Sequence, residues 1–173
     1  MPAWENPLTT MIPDGWDNFF VAQVGASAAL IGLLFVSLSI NLQRIIAYPY
    51  LVDRVGEAIL TFLGPFLISI FGLVPRESLT TFGLQVLEVG AVVWLFTTTL
   101  QVRRFRMRPR EATLAGTIPW TAVVQAATVS TVVAGLLLAT GRHAGFGWLV
   151  LAVVSSYLAG ITSVWVLTVE ILR

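Results

Sequence analysis

The 173-residue chain contains no cysteine, no lysine and one histidine. Without cysteine there are no disulfides, no iron–sulfur ligands and no thiol nucleophile. Without lysine there is no Schiff-base chemistry. One histidine and no cysteine give no conventional zinc or bis-histidine haem site within one chain, so neither a metal nor a cofactor is expected. Charge is scarce as well: 11% of residues are charged, against about 25% in soluble domains. The net charge of +1 offers no basic face for a nucleic acid. Gly-rich phosphate loops, G-x-S-x-G elbows and H-E-x-x-H helices are all missing. Enzyme is therefore the least supported class, although a membrane enzyme using Glu88 with Ser27 or Tyr157 stays open.

What the chain has in abundance is apolar sequence. Hydrophobic residues make up 57%, and the mean hydropathy is +0.86. A helix that crosses a bilayer needs about 20 mostly apolar residues, and five stretches qualify, near 19–41, 55–74, 79–102, 117–140 and 145–169. The expected fold is an all-α integral membrane protein, a single bundle of five transmembrane helices. The first helix can continue past Asn41 to Ala47, where Pro49 should stop it. Residues 1–18 read as an outer interfacial segment, with Trp4, Met11, Ile12 and Trp16 at headgroup level. Trp148 marks the same boundary, and Tyr48, Tyr50 and Trp120 the opposite one.

Arginine placement sets the expected orientation, because Arg-rich loops stay cytoplasmic. With the N-terminus outside, Arg44, Arg54, Arg103, Arg104, Arg106, Arg108, Arg110 and Arg173 all fall inside, and only Arg76 and Arg142 outside. The N-terminal tail carries Glu5, Asp14 and Asp17 and no arginine. The reading is N-out, C-in, multi-pass, in the plasma (inner) membrane. The five arginines from Arg103 to Arg110 are topogenic and are expected to meet anionic lipid on the cytoplasmic side, at about 1 kcal/mol per charge. His143 reads as a solvated loop residue.

Short outer turns, Pro75–Ser78 and Gly141–Ala144, make two antiparallel hairpins. Phe82-Gly83, Val86-Leu87 and Val89 echo Phe146-Gly147, Val150-Leu151 and Val153 at equal offsets, a faint sign of a duplicated hairpin.

The first span, FFVAQVGASAALIGLLFVSLSIN, carries two stripes. Gly25, Ala29 and Gly32 form a small-residue face suited to close helix packing. Gln23, Ser27, Leu30, Leu34, Ser37 and Asn41 alternate steps of four and three, a heptad seam with polar ends and a leucine centre. Around an axis of several copies this seam would make a wet vestibule, a leucine constriction that gates by dewetting and a second vestibule. Interhelical hydrogen bonding within one chain is the plainer alternative.

Glu88 lies about 13 Å into the third span at 1.5 Å per residue. A carboxyl at that depth must be neutral, paired or wet, and is a functional-site hypothesis by default. Depth matching offers Ser27, Thr128, Ser155, Ser156 and Tyr157 as partners, an oxygen-rich set suited to a proton or small cation. Glu57, three residues after Arg54, reads as one half of a helical ion pair. Pro65 after Gly64 marks a kink in span two.

Three functions follow. The first is a homo-oligomeric pore for small ions, lined by the first span. The second is a proton- or cation-coupled carrier centred on Glu88. The third is a non-catalytic accessory or scaffold subunit that docks on a larger membrane partner through Gly25, Ala29 and Gly32.

Overall fold

The computed structural model describes residues 11–75, 78–106 and 118–170. Five helices fill them: α1 (Trp16–Ala47), α2 (Pro49–Gly72), α3 (Leu79–Arg106), α4 (Ile118–Ala139) and α5 (Gly145–Glu170). Each is long and apolar enough to cross a bilayer, and the chain is a multi-pass membrane protein. The helices overrun the sequence-derived spans mainly at the Arg-rich end. There α1 continues to Ala47 and α2 starts at Pro49.

Local chemistry sets these limits. Tyr48 is extended, as the residue before a proline must be, and Pro49 opens α2 at a position where its missing N–H costs nothing. Gly141 closes α4 with φ of 75°. Its N–H donates to the Leu138 carbonyl and the Arg142 N–H to the Leu137 carbonyl, each at 2.9 Å, which satisfies the last carbonyls of the helix. At the same end of the molecule Met11 pairs with Ser78 in an isolated bridge, tying the N-terminal segment to the start of α3.

α2, α3, α4 and α5 form a ring in which each helix packs on the next and α5 returns to α2; α1 lies outside it, against α2 and α5. The α3–α4 contact is built on glycine. A methyl group at Gly83 would overlap the Leu138 and Ala139 backbone, and one at Gly135 the Leu87 backbone. In lipid, where the hydrophobic effect does not drive helices together, such close approach is what stabilises them.

The interior has two layers. Away from the Arg-rich end, Phe20, Phe82 and Phe146 pack with Ile68, Leu138 and Leu149 under Trp16 and Phe19. The Trp16 and Phe146 rings are 4.4 Å apart, and Phe82 stacks on Phe146 at 6.3 Å. Further along, Leu34, Ala58 and Phe62 join α1 to α2, with Tyr157 and Val164 of α5 against them. The sequence echo between α3 and α5 is shared at Phe82 and Phe146, both buried; beyond them it diverges, since Val86 is enclosed while Val150 is 38% exposed.

Candidate functional site

The densest polar cluster joins α2, α3 and α4 at the Arg-rich end. The Glu57 side chain is fully enclosed. It accepts from Arg104 Nη2, from Gln101 Nε2 at 2.5 Å and from Trp120 Nε1 at 3.5 Å. Every one of these partners donates to the carboxyl oxygens and none accepts from them. The donors continue outward in one direction. Gln125 Nε2 donates to Gln101 Oε1 at 2.8 Å and to Thr98 Oγ1 at 3.1 Å, and Trp94 Nε1 donates to Gln125 Oε1 at 3.0 Å. Beside this chain Arg103 pairs with Asp53 at 3.5 Å, and the Arg54 guanidinium lies 5.7 Å from the Trp120 ring.

Two consecutive arginines on α3 thus meet two carboxylates one turn apart on α2. The arrangement is a clamp: its charges are matched inside the chain, and removing either arginine leaves its carboxylate buried without that counter-charge. The sequence reading assigned Arg103 and Arg104 to anionic lipid and Arg54 to Glu57. Arg104 instead turns inward, with its side chain only 14% exposed, while Arg103 is 62% exposed beside Asp53. Arg106 is exposed; Arg108 and Arg110 lie outside the described residues. Asp53, read from sequence as lying before span two, is buried in the first turns of α2. The missed signal was available: acids at one end of span two face arginines at the same end of span three in any antiparallel hairpin.

The heptad seam of α1 turns inward. Gln23, Ser27 and Leu34 are buried against α2 and α5, Leu30, Ser37 and Asn41 are half-buried, and Asn41 donates to the Ser37 carbonyl at 3.1 Å. Gln23 Nε2 donates to the Pro65 carbonyl at 3.1 Å. Ser27 Oγ and Tyr157 Oη are 2.9 Å apart, and Tyr157 Oη donates to the Gln23 carbonyl at 3.2 Å. The small-residue face shows the reverse. Gly25, Ala29 and Gly32 are exposed, and a methyl group at either glycine would meet nothing within 4 Å. The two faces of α1 are therefore exchanged relative to close packing through the small residues. Amide and hydroxyl groups have donors and acceptors to find on α2 and α5; glycine has none.

Glu88 stands apart from its expected partners. The inward face of α3 carries Leu79, Phe82, Gly83, Val86, Gly90, Val93, Thr97 and Gln101. Glu88 follows Val86 by two residues, about 200° around the helix, and is exposed on the outside of the chain. Among the described residues no hydrogen bond or ion pair reaches it. Thr128 and Ser156 are buried and Ser155 half-buried. The Thr128 hydroxyl bonds its own helix at Val124, 3.1 Å away. The supposed ligand set is thus split: Ser27 and Tyr157 meet each other, and the carboxyl faces outward.

Glu88 is one position in a continuous outward seam. Thr81, Gln85, Glu88, Val92, Leu95, Thr99, Val102 and Arg106 follow steps of four and three along the whole of α3. Gln85 is half-buried and the others are exposed, Leu95 by 61%. No protein-family model, no curated protein and no solved structure matches this chain.

Proposed function

We propose that the protein is a homo-oligomeric pore for small cations in a plasma (inner) membrane, with its Arg-rich end on the cytoplasmic side. The aqueous path runs between copies and is lined by the outward seam of α3. One observation carries the reading: Glu88 is exposed on the outside of the chain, deep within a membrane-crossing helix, with no hydrogen-bond or ion-pair partner among the described residues.

Left against hydrocarbon, that carboxyl costs at least about 2.5 kcal/mol. Several copies remove the cost by turning their α3 seams toward a common axis, where the carboxyls meet water and cations. A ring of carboxylates favours cations over anions. Val92 and Leu95, one and two turns further along, form an apolar constriction of the kind that gates by dewetting. Thr99 and Arg106 then line the exit. Steps of four and three suit helices that cross at about +20°. The ring of α2 to α5 is not the path, because aromatic side chains fill it at one end. The α1 seam is engaged inside each copy.

The test is cation flux into liposomes holding the purified protein, with reversal potentials in a planar bilayer. Wild type is expected to pass K⁺ in preference to Cl⁻. Glu88→Gln should lose most of that preference, and Leu95→Ser should raise conductance. Wild-type vesicles no leakier than empty ones, or a Glu88→Gln pore as selective as wild type, would overturn the reading.

A further inference from the structure

The contact between α1, α2 and α5 leaves one buried acceptor without a donor among the described residues. Gln23 is 4% exposed. Its amide nitrogen is engaged with the Pro65 carbonyl at 3.1 Å, while its amide oxygen is buried with no hydrogen-bond partner among the described residues. The neighbouring hydroxyl protons are already committed. Tyr157 has one, directed at the Gln23 carbonyl at 3.2 Å, so Ser27 supplies the proton of the 2.9 Å contact between the two hydroxyls. The Ser69 hydroxyl donates to the Pro65 carbonyl at 2.9 Å.

Pro65, whose carbonyl accepts from Gln23, lies inside α2. It has no N–H, so the Thr61 carbonyl, one turn earlier on α2, loses its ordinary donor within the helix. An orphaned buried acceptor costs about 1–3 kcal/mol. Here the orphaned amide oxygen and the freed carbonyl arise independently, one from a side chain of α1 and one from a proline in α2.

We propose that this cluster binds one dehydrated monovalent cation of the Na⁺ class, with Gln23 Oε1, Ser27 Oγ and Tyr157 Oη among its ligands. Hard cations take oxygen ligands, and these are neutral oxygens whose lone pairs are not all used. The charge is single because no carboxylate among the described residues joins the cluster: Glu57 is matched by Arg104, and Glu88 faces outward from α3. A bound cation would also join α1 to the ring through α2 and α5 at once. The site is separate from the α3 seam, and the inference does not depend on the pore.

The experiment is thermal unfolding of the full chain in detergent, in NaCl, KCl and choline chloride at equal ionic strength, with equilibrium binding of ²²Na⁺. The expected result is a saturable Na⁺-dependent rise in melting temperature and close to one ion per chain. Tyr157→Phe and Gln23→Leu should each weaken binding at least about tenfold. Tyr157→Phe removes a single oxygen and serves if Gln23→Leu does not fold. Phe35→Ala, on the outer face of α1 and outside both sites, should bind as wild type does. Equal melting in Na⁺ and choline, as water in the site would give, overturns the proposal. So does binding that survives Gln23→Leu, or binding lost in Phe35→Ala alone.

Discussion

The seam of α1 and the outward seam of α3 share one plan in steps of four and three: polar positions, two aliphatic residues, then a polar position, with Val102 added on α3 before Arg106. One is covered by its own chain and the other is open. Gln23 and Ser27 find the Pro65 carbonyl and Tyr157 on neighbouring helices, and Leu34 finds Ala58 and Phe62. Glu88 finds no partner among the described residues, and Leu95 is 61% exposed. The backs of the two helices differ in the same sense. Gly83 and Gly90 of α3 lie against α4, whereas Gly25 and Gly32 of α1 face open space. A periodic polar stripe therefore does not reveal whether it meets its own chain or another copy. What separates the two is chemistry. Amides and hydroxyls can be satisfied by carbonyls and a tyrosine, but a carboxyl inside a bilayer needs a cation, a proton or water.

The comparison can be broken by substitutions on each side, and the largest effect is expected away from both seams. Arg104→Ala leaves Glu57 buried without its counter-charge and should cost about 3–5 kcal/mol in an unfolding titration of the purified protein. A loss below about 1 kcal/mol would mean that the clamp is wetter than its burial implies. Next comes the pair that sharpens the contrast directly. Leu34→Ala should destabilise a single copy by about 2–5 kcal/mol. Leu95→Ala should change the stability of a single copy by no more than about 0.5 kcal/mol, while lowering the oligomer fraction measured by native mass. Similar unfolding costs for the two would erase the distinction between covered and open seams. The smallest effect on a covered seam is Tyr157→Phe in choline chloride, where the two interhelical hydrogen bonds lost should cost about 0.6 kcal/mol each.

Much of the fold was legible in the sequence, because hydropathy reports bilayer crossing directly. All five spans correspond to helices, and the stop at Pro49 follows from the backbone of the residue before it. Which face of each helix points inward was not legible. In water, an apolar stripe marks the interior; in lipid, both faces are apolar and the stripe disappears. Phe35, Val36 and Ile40 of α1 are as hydrophobic as Leu34 and yet exposed. The Glu57 clamp was within reach, since its parts sit at matching ends of a hairpin, but the run of arginines was explained by topology first. The placement of Glu88 required knowing that Gly83 and Gly90 set the inward face of α3.

The central claim is that the outward seam of α3 meets another copy of the chain. Native cysteine is absent, so each single-cysteine variant carries one reactive thiol. Oxidation of Leu95→Cys in native membranes should give disulfide-linked dimers, while Leu34→Cys, inside the chain, and Phe35→Cys, on the far side of α1, should stay monomeric. Linked dimers from Phe35→Cys with none from Leu95→Cys would contradict the account.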